Sequence, residues 1–296
     1  MAIPVPYPFP GASRFCPRAS APIALIAIAL CGCSINLGSL SPSAEREEPA
    51  QLTSSSNIAS LTEAIKNNPN DPQAYNMRGS VLAQAGKTEE ALADFNKAVS
   101  LDPNYGQAFA NRGLIYRKTK RLDQAMADYD RALALDGNYA PAWLGRGMVY
   151  KERKQTAEAL EDFNKAISLR PDNAEAYYNR GLLYQGEKQH QFAIDDFTAA
   201  NGLLPQQTEP LLGRALSYLA LDKAKEAAVD LDEAVQADPQ NAQIWITRGL
   251  AYERLGDKTK AAGSYSRAIN LRPKDEAAQS GFARVGGKPG QSYDTF

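Results

Sequence analysis

The sequence predicts an all-α solenoid built from stacked antiparallel helix pairs. Two observations predict it. One pattern of large and small residues returns every 34 residues, six times, between Pro72 and Lys274. The spacing also holds without insertions, so each unit has room for two short helices and two tight turns. A period of this length in helix-forming sequence marks hairpins that bury their apolar faces only by stacking on their neighbours.

In chain order, the first element is a targeting signal, residues 1–33. Arg14 and Arg18 precede an apolar run from Ala21 to Cys31. A short basic region before a short apolar core is the pattern of a secretory signal, and the run is too short to span a bilayer comfortably. Its end, Leu30-Cys31-Gly32-Cys33, resembles the bacterial lipobox. By that resemblance Cys33 is the lipidated residue, with cleavage after Gly32. Several acyl chains anchor firmly where a single one holds only marginally. The run also fits an uncleaved anchor, and the proline-rich stretch from Met1 to Pro10 is unusual for a signal. Ser34 stands where an aspartate tends to retain Gram-negative lipoproteins in the inner membrane, so the resemblance implies the outer membrane, facing the periplasm. Residues 34–57 are rich in Ser, Pro and Glu and read as a flexible tether whose removal leaves the repeats folded.

Residues 58–71 fit the second half of an upstream repeat through Ile58, Leu61, Ala64 and Pro69. Six full units follow: 72–105, 106–139, 140–173, 174–207, 208–241 and 242–275. In the first, Asp71 can cap a helix whose first turn holds Pro72. Tyr75, Leu82, Phe95 and Ala98 face one another across the hairpin. Gly79 and Ala91 are small where the two helices approach, and Asp102-Pro103-Asn104 turns the chain into the next unit. The same slots hold Phe109, Gly113, Tyr116, Ala125, Tyr129 and Ala132, with Gly137 as a lapse at the proline slot. The third unit has Trp143, Gly147, Phe163 and Pro171, the fourth Tyr177, Gly181, Phe197 and Pro205, and the sixth Trp245, Gly249, Tyr265 and Pro273. The fifth is the most divergent, with Leu211, Ala215 and Leu231. Residues 276–285 read as a capping helix and 286–296 as a disordered tail.

These residues at this spacing resemble the tetratricopeptide repeat family over about two thirds of the chain. The resemblance implies a right-handed superhelix with the first helix of each unit lining a concave, protein-binding groove. Carried onto this chain, the groove positions are Asn76, Gln107, Asn111, Arg117, Lys118, Lys151, Tyr178, Asn179, Gln185, Thr247 and Arg254. Asn111 and Asn179 fit a partner's backbone amides, and Arg117, Lys118 and Lys151 form a modest basic patch for carboxylates. The lysine and asparagine that clamp chaperone tails in some members are replaced here by Asn76 and Ser80, Ala110 and Leu114, and Leu144 and Met148. Apolar density is greatest in the fifth unit, where Leu212, Leu216 and Leu219 fit an amphipathic helix. They fit equally the contact surface of a homodimer or a tight inner wall.

A further regularity lies beside the family pattern. Arg78, Arg112, Arg146, Arg180, Arg214 and Arg248 share one slot; Asp94, Asp128, Asp162, Asp196 and Asp230 share another, with Ser264 in the last unit. A repeated Arg–Asp ion pair in the hairpin seam is expected. The rival is an arginine row facing the groove to bind acidic ligands.

Composition narrows the function classes. A formal net charge of -1 gives no electrostatic reason to expect nucleic acid. A mean hydropathy of -0.43 excludes a polytopic membrane protein. The three cysteines, Cys16, Cys31 and Cys33, all precede the repeats, which leaves the repeats without disulfide, thiolate metal cluster or thiol nucleophile. His190 is the one histidine and reads as an exposed turn residue. Paired acids such as Glu89-Glu90 and Asp195-Asp196 recur at helical slots rather than across a cleft. No enzyme and no cofactor is expected. The expected role is an outer-membrane lipoprotein adaptor that gathers periplasmic partners, cell-wall remodelling enzymes above all. The alternative is an assembly factor or pilotin-like component of a secretion or pilus system. A cytosolic scaffold requires the lipobox to be accidental.

Overall fold

The structure, a computed structural model, describes residues 49–293. The signal segment with Cys33 and the first part of the tether lie outside the described residues. Among the described residues there are fourteen α-helices and no strand. Helix α1 (Pro49–Asn67) comes first. Six pairs follow: α2 (Pro72–Gln84) and α3 (Thr88–Leu101), α4 (Gly106–Lys118) and α5 (Leu122–Leu135), α6 (Ala140–Glu152) and α7 (Thr156–Leu169), α8 (Ala174–Gly186) and α9 (His190–Leu203), α10 (Thr208–Ala220) and α11 (Ala224–Ala237), and α12 (Ala242–Arg254) and α13 (Lys258–Leu271). Helix α14 (Glu276–Arg284) closes the stack.

Five of the six hairpins close because a glycine on the first helix admits a ring from the second; in the fifth, Ala215 faces Leu231. A Cβ added at Gly79 would meet the Phe95 ring at 2.9 Å, and one at Gly147 the Phe163 ring at 2.8 Å. Phe95, Tyr129, Phe163, Phe197 and Tyr265 are buried in these seams. A phenylalanine so placed contributes about 1.5–3 kcal/mol of apolar burial.

The turn inside each hairpin is the same in all six units. The second residue after the first helix takes the left-handed conformation: Gly86, Lys120, Lys154, Lys188, Asp222 and Gly256, at φ from 57° to 79°. In the second unit Lys120 N–H donates to the Arg117 carbonyl at 3.0 Å and Arg121 N–H to the Tyr116 carbonyl at 2.8 Å. Two such bonds satisfy carbonyls that the helix end leaves open. Between units, Asp102 Oδ1 accepts from Asn104 N–H at 2.9 Å, and Asp136 does the same for Asn138. At the first unit's entry Asp71 caps α2 by accepting from Gln73 N–H at 2.9 Å.

Every first helix touches the first helix of the next unit, whereas among the described residues no two consecutive second helices of the units touch. The stack therefore curves with its first helices on the inner side, and these form the concave face.

Three expectations are corrected. Helix α1 starts at Pro49, inside the stretch read as tether. His190 is the first residue of α9 and half-buried, not an exposed turn residue. The segment after α14 folds back rather than trailing away: Gly287 N–H donates to the Phe282 carbonyl at 2.8 Å, and the Tyr293 ring meets Phe282 edge-on at 5.7 Å. An aromatic residue near the chain end supplied an apolar contact that the glycine-rich composition had obscured.

Candidate functional site

The arginine row faces the seams, not the groove. Arg112 donates to Asp128 through Nε at 2.8 Å and Nη2 at 2.7 Å. Arg78–Asp94, Arg146–Asp162, Arg180–Asp196 and Arg214–Asp230 repeat this two-toothed bond. The remaining nitrogen, Nη1, reaches back to the second helix of the preceding unit, to Thr62, Asn96, Asp130, Asn164 and Thr198 in turn. Thr62, on α1, fills this slot for the first unit, which places α1 as the second helix of an upstream half-unit. Aromatic rings flank most of the guanidinium groups, as Trp143 does Arg146 at 4.8 Å. In these five arginines all three nitrogens bond within the solenoid, which commits the row to the seams. Bonding to Asp162 raises Arg146, while burial also raises Asp162. The two shifts pull against each other because desolvation opposes a pair that its hydrogen bonds favour; we hold the pair ionised, given its two aligned bonds and the second carboxylate of Asp130. Such a pair sets geometry more than it adds net stability.

The polar groove residues are mostly tied to one another. Asn111 Nδ2 donates to Asn76 Oδ1 at 2.9 Å, and Asn76 Nδ2 donates to the Tyr105 hydroxyl at 3.1 Å. Lys151 Nζ donates to Asn179 Oδ1 at 2.7 Å. Burial and the neighbouring Arg117 hold the Lys151 ammonium below its usual range. Arg117 Nη1 donates to Glu152 at 3.0 Å, and Gln185 Nε2 to the Gly213 carbonyl and the Ser217 hydroxyl, both at 2.8 Å. Arg254 donates to the Leu219 carbonyl and lies 3.6 Å from Asp222. These residues are rungs between successive first helices. Lys118 is exposed and has no ion pair among the described residues. Tyr178 is half-buried, its ring 5.9 Å from that of Phe197.

Of the three leucines expected to form one apolar surface, Leu216 is exposed at 38%, Leu212 is half-buried and Leu219 is buried at 3%. Leu219 is withdrawn as a groove residue. It belongs to the apolar cluster running from α10 to α14, because the last turn of a first helix faces the next unit. The exposed apolar side chains of the first helices are instead Met77, Leu114 and Leu216.

The concave face has a recess of about 210 Å³ between α4 and α6. Ala110, Leu114, Pro141, Leu144 and Met148 form its apolar walls; Asn111, Arg117 and Glu175 stand at its polar side; Tyr129, from α5, lies at its floor. The Tyr129 hydroxyl and Arg117 Nε are both buried without a hydrogen-bond partner. Burial pushes the Tyr129 hydroxyl up to about 12, against the charge of the Arg117 guanidinium and a hydrogen-bonding pull from it that falls short of an aligned bond. The hydroxyl is therefore a neutral donor at any physiological pH. Tyr129 and Glu175 were not singled out from sequence as site residues. The available signal was a tyrosine in a slot that holds Phe95, Phe163 and Phe197 elsewhere. Among the described residues, no cluster of histidine, cysteine and carboxylate side chains could hold a metal ion, and no helix is long and apolar enough to cross a membrane.

Models described as tetratricopeptide repeat match residues 72–105, 106–139, 174–206 and 212–277, and a TPR repeat model matches 147–187. No curated protein matches the chain. Among solved structures, Pseudomonas aeruginosa pilF is similar with a TM-score of 0.66 and 24% identity, over 72% of this chain and 97% of that one. PilW, a widely conserved type IV pilus biogenesis factor, has a TM-score of 0.63 and 18% identity, over 71% of this chain and 97% of that one. The APC/C hetero-tetramer Cut9–Hcn1 includes a chain with a TM-score of 0.66 and 17% identity, over 79% of this chain but only 46% of that one. Likeness at this identity establishes the fold alone.

Proposed function

The chain belongs to the tetratricopeptide repeat family, and on that premise we propose that it is a non-enzymatic, lipid-anchored adaptor of the outer membrane. Its concave groove binds periplasmic protein partners, with cell-wall remodelling enzymes as the leading class. The observation that carries the binding role is the recess between α4 and α6, apolar in its walls, which include the exposed Leu114, and polar at its floor, with exposed Met77 and Leu216 farther along the first helices. A concave site with few oriented polar groups is how a protein selects a ligand without chemistry on it. The anchor rests on the lipobox resemblance at Cys33, and the class of partner on resemblance to repeat lipoproteins that gather peptidoglycan enzymes.

A second reading is an assembly factor for a pilus or secretion system. The observation favouring it is the likeness to PilW across nearly all of that chain.

Crosslinking in intact cells, affinity capture of the tagged chain and mass spectrometry discriminate. Wall hydrolases or synthases whose capture is lost in Leu114→Asp and Leu216→Asp support the first reading. Pilus or secretin proteins lost in the same variants support the second. Partners unaffected by either variant would remove the groove from both. The anchor has its own test, since labelled palmitate must enter the chain and fail to enter Cys33→Ser.

A further inference from the structure

Resting on the groove reading, we propose that the recess between α4 and α6 is a subsite for a carboxylate-ended side chain of an extended peptide. Tyr129 Oη and Arg117 Nε receive the carboxylate.

Two units place a tyrosine, not phenylalanine or leucine, in the slot of Tyr129. In the last unit Tyr265 donates to Glu253, twelve residues earlier, at 2.7 Å. At the same spacing Tyr129 meets Arg117, a donor where Glu253 is an acceptor. The guanidinium lies near enough to the phenol oxygen to pull on it, but the two make no aligned bond, and the hydroxyl and Arg117 Nε stay buried without a well-placed partner. Buried polar groups in folded proteins nearly always have partners, and each exception needs an explanation. Here the missing element is an acceptor, and the recess opens above both groups.

Shape and charge specify the acceptor further. Leu114, Leu144 and Met148 suit the methylene stem of a side chain rather than a bare ion. Gly145 keeps the floor open, since a Cβ there would lie 2.5 Å from the Tyr129 hydroxyl. Glu152 offsets one of the local positive charges, its two oxygens accepting from Arg117 and Lys120 at 3.0 and 2.9 Å, which leaves it no free oxygen for the Tyr129 hydroxyl. Lys118 and Lys151 leave the surroundings cationic, with Glu175 as the opposing carboxylate. A charged acceptor is favoured over a neutral one where the donors include a guanidinium. Met148 and Arg117 are long and unbranched, so they are the parts of the wall that can shift to admit the ligand. The lysine–asparagine clamp of the family takes no part, since those slots hold other residues.

The test uses the full chain with ¹³C-methyl methionine and three hexapeptides of alanine and glycine carrying a central glutamate, glutamine or leucine. The glutamate peptide is expected to shift the Met148 methyl signal and leave Met77 unmoved. Exchanging glutamate for glutamine, or Tyr129→Phe, is expected to weaken binding by about tenfold or more. Tyr129→Phe must also raise the Tm of the free protein, because a hydroxyl without a partner is removed and phenylalanine already fits this slot in three units. Equal binding of the three peptides, no Met148 shift with any of them, unchanged affinity in Tyr129→Phe, or a lowered Tm would each overturn the subsite. The wider groove reading falls separately, only if partner crosslinks survive Leu114→Asp and Leu216→Asp.

Discussion

Arg248 donates to Asp232 at 2.7 Å, backwards across the boundary between the fifth and sixth units. The five preceding arginines donate a two-toothed bond to an aspartate sixteen residues ahead, and that slot here holds Ser264, which accepts from Arg248 Nη1 at 2.8 Å. The carboxylate has changed helices without leaving the guanidinium. A buried arginine between two second helices needs one paired charge, and either helix can supply it.

The first prediction follows from counting carboxylates around each arginine. Arg180 has Asp196 and the neutral Asn164, whereas Arg146 has Asp162 and Asp130. Asp196→Asn leaves a buried guanidinium without a charge partner and should cost about 3 kcal/mol. Asp162→Asn should cost clearly less, since Asp130 remains. Urea denaturation of both variants checks this; equal losses would show that the second carboxylate does not compensate.

The hairpin turns offer a gain. Lys120, Lys154 and Lys188 hold left-handed backbone that Gly86 and Gly256 adopt freely. Lys154→Gly should raise stability by up to about 1 kcal/mol, because the Cβ penalty outweighs glycine's extra unfolded entropy at such a position. Thermal melts of the single and triple glycine variants should show increments that add.

Two glycines should respond oppositely to alanine. A Cβ at Gly213 would lie 2.7 Å from the buried Phe197 ring, while one at Gly202 meets nothing within 4 Å. Gly213→Ala should cost about 1–3 kcal/mol through overpacking. Gly202→Ala should gain up to about 1 kcal/mol from helix propensity. Matching effects in the two variants would mean the seam is looser than its geometry implies.

The C-terminal cap should be sensitive to acid. Arg284, on α14, donates to both Glu253 oxygens at 2.8 and 3.0 Å, and the Tyr265 hydroxyl adds a third bond. The Arg284 bonds hold Glu253 below the usual carboxylate range despite its partial burial. A carboxyl depressed on folding contributes stability fully present above its unfolded value, near 4.3, and lost as pH falls through the folded one. Tm should therefore drop between about pH 5 and pH 3, and Glu253→Gln should flatten that fall. Glu152, which burial pushes up but Lys120 and Arg117 hold low, should leave a residual slope. A Tm profile unchanged by Glu253→Gln would rule out this clamp as the acid-sensitive element.

What could be read in advance followed the reach of each interaction. The Arg–Asp pairs were legible because both members lie in one hairpin, sixteen residues apart, where helix geometry alone brings them together. The recess was not, because Tyr129, Gly145 and Glu175 come from three units and meet only through stacking.

The sequence by itself determined the repeat, the hairpin, the small residues at each helix crossing and the charge pairing inside each unit. All of these depend on contacts within about one period of the chain. Tertiary structure alone decided which first-helix residues face solvent. Curvature presses successive first helices together, so Leu219 is buried while Leu216 is not, and Asn111 bonds to Asn76 and Lys151 to Asn179. A side chain at that seam is shared between two units, and its exposure depends on the neighbour's packing as much as on its own identity.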